Sequence, residues 1–132
     1  MIQPSLLLRR AFLLDTVASG MMALLLTLGA GELAPLLDLP EALLRETGLF
    51  LIAYTALVGW LATRQSMPKL LVMIVIIGNA VWTLASLALL FSGAVTPNWL
   101  GEAFVVAQAV VPGALGQLQY IGLRRSGGAV TA

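Results

Sequence analysis

The run Leu70–Phe91, LLVMIVIIGNAVWTLASLALLF, decides the class of this chain. It carries no charged residue over more than the roughly 20 residues that a helix needs to cross a bilayer core. A helix closes its backbone hydrogen bonds within one segment, which hydrocarbon demands. Three further segments read the same way: about Leu6 to Gly29, Leu43 to Thr63, and Leu100 to Leu123. The breaks are expected at Gly29 to Pro40, Arg64 to Pro68 and Ser92 to Pro97, where Gly, Pro, Ser and charged residues cluster. Residues 124–132 read as a flexible tail. The expected fold is a single all-α domain over 1–132, an integral membrane antiparallel four-helix bundle.

Composition agrees with those four segments. Of the 132 residues, 60% are hydrophobic and 10% charged, against roughly a quarter charged in soluble domains. Mean hydropathy is +1.00, more apolar surface than a short soluble chain can bury. The sequence has no histidine, which excludes histidine-ligated haem and histidine acid–base chemistry. It has no cysteine, which excludes thiolate metal sites, disulfides and a thiol nucleophile. No metal and no cofactor is expected. The net charge of +1 offers no basic face to nucleic acid.

Charge placement predicts orientation. Arg9, Arg10, Arg64, Lys69, Arg124 and Arg125 fall on one side of the four spans, and only Arg45 falls on the other. Both termini and the middle connection are therefore expected in the cytoplasm of a bacterium, with the spans in its inner membrane. Glu32, Asp38, Glu41, Glu46 and Glu102 fall on the far side. There the connection GELAPLLDLPEALLRETG reads as a short amphipathic piece at the interface, either a plain connector or a lid. Trp60, Trp99 and Tyr120 lie near span ends, where amphipathic rings favour the headgroups. Trp82 lies inside its span, among the bundle's packing residues. Arg9-Arg10 before an apolar stretch resembles an export signal, but Asp15 interrupts the stretch and no A-x-A site follows.

An internal repeat is one reading of the halves. Pro4 to Ala30 overlays Pro68 to Ala94 without gaps, matching Val17 with Val81 and Gly29-Ala30 with Gly93-Ala94. Asp15 falls on Asn79, and Ser19 on Thr83. The overlay suggests a duplicated two-helix hairpin with a pseudo-two-fold axis along the membrane normal.

The polar residues at membrane depth are the candidate functional seam: Asp15, Asn79, Gln108, Gln117 and Gln119. Ionisable groups inside spans are costly and face the interior. Asp15 has two readings: a protonatable carboxylate in a proton or cation pathway, or a structural group paired with an arginine or with the Gln117 and Gln119 amides. Asn79 and Gln108 read as bridging amides, and Gln108 also as a path-lining residue. In the last span, Pro112 removes a backbone hydrogen bond and predicts a kink. Ala109, Gly113, Gly116 and Tyr120 form a small-residue stripe, read as a helix-packing face or, with Pro112, as a hinge.

The segments LLLRRAFLLD, LPEALLR, GNAVW and LQYIGLRR together resemble a type of small bacterial four-span membrane protein. The resemblance covers nearly the whole chain and implies the four-span fold, but carries no activity and no functional residues. Small multidrug exporters are also four-span proteins of similar length, with a glutamate in the first span; this chain has Asp15 instead, nearer the cytoplasmic end and without their flanking pattern, so the similarity is one of size only.

Two functions follow as expectations. One is a non-enzymatic accessory, assembly or binding role in the membrane, with a homo-oligomer or a larger membrane complex as its setting. The other is a small oligomeric transporter or channel with Asp15 as the proton- or cation-linked group. An enzyme acting on lipid would have Asp15 or Glu102 alone for acid–base work.

Overall fold

The structure, a computed structural model, describes residues 1–128. Four helices make up nearly all of it: α1 (Leu6–Leu37), α2 (Glu41–Ala62), α3 (Lys69–Ser92) and α4 (Trp99–Arg124). Each is long and apolar enough to cross a membrane. Two short strands, β1 (Ile2–Gln3) and β2 (Gly127–Gly128), pair antiparallel.

The expected break at Gly29 is absent. α1 runs on to Leu37, so Leu33, Leu36 and Leu37 belong to it and form no separate interfacial piece. Leu26, Ala30 and Leu37 continue one buried stripe, which packs on Leu39, Leu44 and Val105. Gly29 and Gly31 each weaken a helix by only about 1 kcal/mol relative to alanine, less than that burial returns. Pro35 lacks the N–H that would reach Gly31, but only Leu36 and Leu37 follow it in the helix. The helix ends where Asp38 turns left-handed at φ 55°. Asn98 closes this end, its Nδ2 donating to the Leu36 carbonyl at 2.8 Å. It also caps α4 by accepting from the Gly101 N–H at 2.9 Å.

The other end is clasped around the first residues. Ile2 N–H donates to the Met67 carbonyl at 2.8 Å, and Met67 N–H returns the bond at 3.0 Å. Ile2 also lies opposite Gly128 across the two-stranded ladder. Ser5 caps α1 and donates to the Gly122 carbonyl at 2.7 Å, while its N–H donates to Ser126 Oγ. The chain start, the α2–α3 connection and the end of α4 therefore meet at one place. The tail expected over 124–132 is not free up to Gly128: Ser126 is buried and Gly127–Gly128 is paired. Residues 129–132 lie outside the described residues.

α1 packs on both α2 and α4, and α4 packs on α3, but α2 and α3 do not come close along their backbones. Apolar cores fill the two ends. Leu8, Phe12, Leu61 and Met67 anchor the clasped end, and Leu26, Leu37, Leu44 and Val105 the other. Two glycines permit the closest helix contacts. A Cβ on Gly48 would fall 2.6 Å from the Thr27 backbone nitrogen, and one on Gly122 would fall 2.7 Å from the Leu8 backbone.

The duplicated-hairpin overlay is not reproduced in this packing. A two-fold axis would carry the α1–α4 contact onto α3–α2, where the backbones pack far less extensively. Gly93 ends α3 in a left-handed turn at φ 77°, whereas its counterpart Gly29 sits inside a helix.

A buried polar cluster beside an aromatic cavity

Asp15 sits between the two apolar cores, 1% exposed. Four side chains from all four helices converge on it. On its own helix, Ser19 Oγ donates to Oδ1 at 2.8 Å, from one turn further along. From α2, the Tyr54 hydroxyl donates to Oδ2 at 2.6 Å. From α3, Asn79 Nδ2 reaches Oδ2 at 3.3 Å. From α4, Gln119 Nε2 donates to Oδ2 at 2.7 Å. Asn79 Nδ2 also donates to Gln119 Oε1 at 2.8 Å, so the amides hold each other as well as the carboxylate. Asn79 Oδ1 lies 3.2 Å from the Tyr54 hydroxyl as a second acceptor within its reach.

Every group on Asp15 is a neutral donor, which suits a carboxylate that only accepts. No cation joins them among the described residues. Arg9 points the other way, its guanidinium donating to the Ala62 carbonyl and, at 2.7 Å, to that of Arg64. The first of these carbonyls belongs to the last residue of α2, where the helix leaves carbonyls without intrahelical partners, and the second lies in the connection just after it. Arg64 and Arg124 lie over the Trp60 and Tyr120 rings, 5.5 and 5.9 Å from their centroids. Arg45 pairs with Glu41 at 3.1 Å. Of the partners expected for Asp15, an arginine or the Gln117 and Gln119 amides, the structure places the Gln119 amide there, together with Asn79 and two hydroxyls. The two Asp15 oxygens are unequally used: Oδ2 takes three donors and Oδ1 takes only Ser19.

The cluster forms one wall of a cavity of about 400 Å³ bounded by all four helices. Apart from Gln108, the rest of the lining is apolar, with Met22 from α1, Trp82 from α3 and Leu115 from α4. Phe50 of α2 stacks on Trp82 with centroids 5.6 Å apart and planes 17° from parallel, bridging the gap between α2 and α3. Phe50, Val81 and Val111 line it and are exposed on the outer faces of their helices, so the cavity opens sideways. This volume lies in the range of small-molecule sites, which are mostly apolar with a few placed polar groups.

The structure brings Asp15, Asn79 and Gln119 together and separates the other two seam residues. Gln108 lines the cavity, with no side-chain hydrogen bond among the described residues. Pro112, also in the lining, removes the N–H that would take the Gln108 carbonyl. Gln117 faces away, exposed in a separate hollow between α3 and α4. The stripe on α4 is used within the molecule. Gly113 and Gly116 admit Thr83 and Asn79 of α3, and Thr83 Oγ1 donates to the Ala109 carbonyl at 2.8 Å. Tyr54 and Ser19 are the members that sequence reading missed. Each had a signal: a hydroxyl in mid-span must find a partner, and position 19 lies one helical turn beyond Asp15.

No family model, curated protein or solved structure matches the chain. The functional reading therefore rests on the cluster and the cavity themselves. No three acidic residues gather as a metal site among the described residues. Among the described residues no second carboxylate donates to or accepts from the Asp15 cluster.

Proposed function

We propose that this chain is a multi-pass protein of the bacterial inner membrane with a non-enzymatic binding role, centred on the cavity beside Asp15. The observation that carries the reading is the cavity itself: apolar, ring-lined, open sideways and floored by a buried carboxylate without a cation. In a bilayer, the sideways opening would face acyl chains and admit a lipid-soluble ligand.

The membrane arrangement in this proposal is an antiparallel bundle with both termini in the cytoplasm. Its support is the clasp that gathers the chain start, the α2–α3 connection and the end of α4. Arg9, Arg10, Arg64, Lys69, Arg124 and Arg125 belong to the segments that meet there. The α1–α2 contacts also descend in register, pairing Thr16 with Gly59, Gly20 with Thr55 and Thr27 with Gly48.

The test is saturable occupancy. The protein, with Trp60→Phe and Trp99→Phe so that Trp82 alone emits, is placed in lipid nanodiscs. It is titrated with neutral para-iodoneopentylbenzene, whose heavy atom quenches a contacting indole. Saturable quenching that Gly78→Leu removes is the expected result. Gly78 borders the cavity, and a Cβ there meets nothing within 4 Å, so this substitution fills space without a clash. Linear quenching, equal in both proteins, would mean simple partition into lipid and would overturn the reading.

A second reading, a small oligomeric transporter or channel with Asp15 as the proton- or cation-linked group, is favoured by the missing countercharge. It requires that proteoliposomes take up a permanently charged organic cation and that Asp15→Asn abolish this uptake.

A further inference from the structure

We infer that the cavity selects a monovalent organic cation with an aromatic or apolar body, and that Asp15 is the residue that reads its charge. The inference rests on the binding role proposed above and names the ligand's chemistry.

Three observations converge. First, among the described residues the only charged group in the lining is a buried carboxylate, and every partner it has is neutral. A buried anion without a countercharge is stabilised by any cation brought beside it. Its Oδ1 takes one donor only, so it keeps acceptor capacity for an incoming N–H or for close approach of a quaternary centre.

Second, the rings are placed for a cation. Trp82 and Phe50 stack at the mouth between α2 and α3, and Tyr54 stands between them and the carboxylate cluster. Aromatic faces attract cations through their quadrupole, tryptophan most strongly, and aromatic walls are a general means of holding alkylammonium groups.

Third, the remaining lining does not suit a metal ion. Calcium needs six or more oxygens, and magnesium a near-ideal octahedron. Here the one carboxylate already engages the Ser19, Tyr54 and Asn79 side chains beside it, and apart from Gln108 the remaining walls are apolar, as at Met22, Val111 and Leu115. A cation that brings its own apolar surface matches such walls; a hydrated one does not.

The experiment compares three probes with one skeleton and different head charge in the Trp82-only protein in nanodiscs. They are para-iodobenzyltrimethylammonium, neutral para-iodoneopentylbenzene and para-iodobenzylsulfonate. The expected order of affinity is cation over neutral by at least tenfold, with no saturable binding of the anion. Asp15→Asn should erase the cation's advantage over the neutral probe. Should Asp15→Asn fail to fold, Phe50→Leu provides the second reading on an exposed rim, and should weaken the cation more than the neutral probe. Equal binding of cation and neutral skeleton would overturn the cation inference while leaving the cavity a binding site. A cation advantage that survives Asp15→Asn would equally overturn the role given to Asp15. Absence of saturable binding by all three would overturn both readings together.

Discussion

Helix α2 has two neighbours and meets them in opposite ways. Against α1 it lies close, with Gly48 on the Thr27 backbone and Gly59 against Thr16. Toward α3 the backbones stay apart, and Phe50 and Tyr54 span the distance to Trp82 and Asn79. Small residues let backbones approach and leave no room; rings hold helices apart and leave a cavity where they do not fill the gap. In one small chain, the first contact serves cohesion and the second leaves a cavity.

The strongest way to break this contrast is to place bulk on each side of it. Gly48→Leu forces its side chain into the Thr27 backbone and should cost about 3 kcal/mol, the upper range for overpacking, by denaturant unfolding in mild detergent. Gly78→Leu, on the open side, should stay within about 0.5 kcal/mol of the parent, as surface substitutions do. Equal losses at both positions would refute the distinction.

Asp15→Ala comes next. It leaves the Tyr54, Ser19 and Gln119 donors without their shared acceptor, and the expected loss is about 2 kcal/mol, one buried group's worth after partial repairing among themselves. An unchanged midpoint would mean that the cluster contributes nothing to cohesion. Arg9→Ala removes the donor to the α2 end carbonyls and should cost about 1 kcal/mol, in line with a lost helix cap. Faster hydrogen exchange at Ala62 to Met67, with the rest of the molecule unchanged, is the accompanying signature.

The smallest effect is expected at Thr55, whose buried hydroxyl has no hydrogen-bond partner. Thr55→Val should be neutral or stabilise by about 0.5 kcal/mol, because an unpaired buried polar atom is replaced by a methyl group of similar size. A clear loss would show that the α1–α2 contact depends on hydrogen bonding as well as on close packing.

The four helices were legible because each needs only its own residues: a long uncharged run and a turn-forming stretch after it. The exit at Gly93 was legible for the same reason, since glycine takes the left-handed turn that ends α3. Gly29 read alike and behaves differently. Its fate depends on Leu37 and Ala30 packing against Leu44 and Val105, which lie elsewhere in the chain. Asp15 and Asn79 were legible as polar residues inside apolar runs, and Gln119 as an amide near them. That Gln117 turns outward while Gln119 turns in follows from the face that α4 presents to α1, which spacing within one helix does not specify.

By itself the sequence determined the all-α class, the number of helices long enough to span and the charge asymmetry of their ends. These follow from local hydropathy and from where Lys and Arg fall. Only the tertiary structure decided which donors Asp15 receives, because Asn79 and Gln119 lie 64 and 104 residues away from it. It alone decided the cavity too. An empty space between helices is set by how far their backbones are held apart, and that is a property of pairs of helices rather than of any one segment.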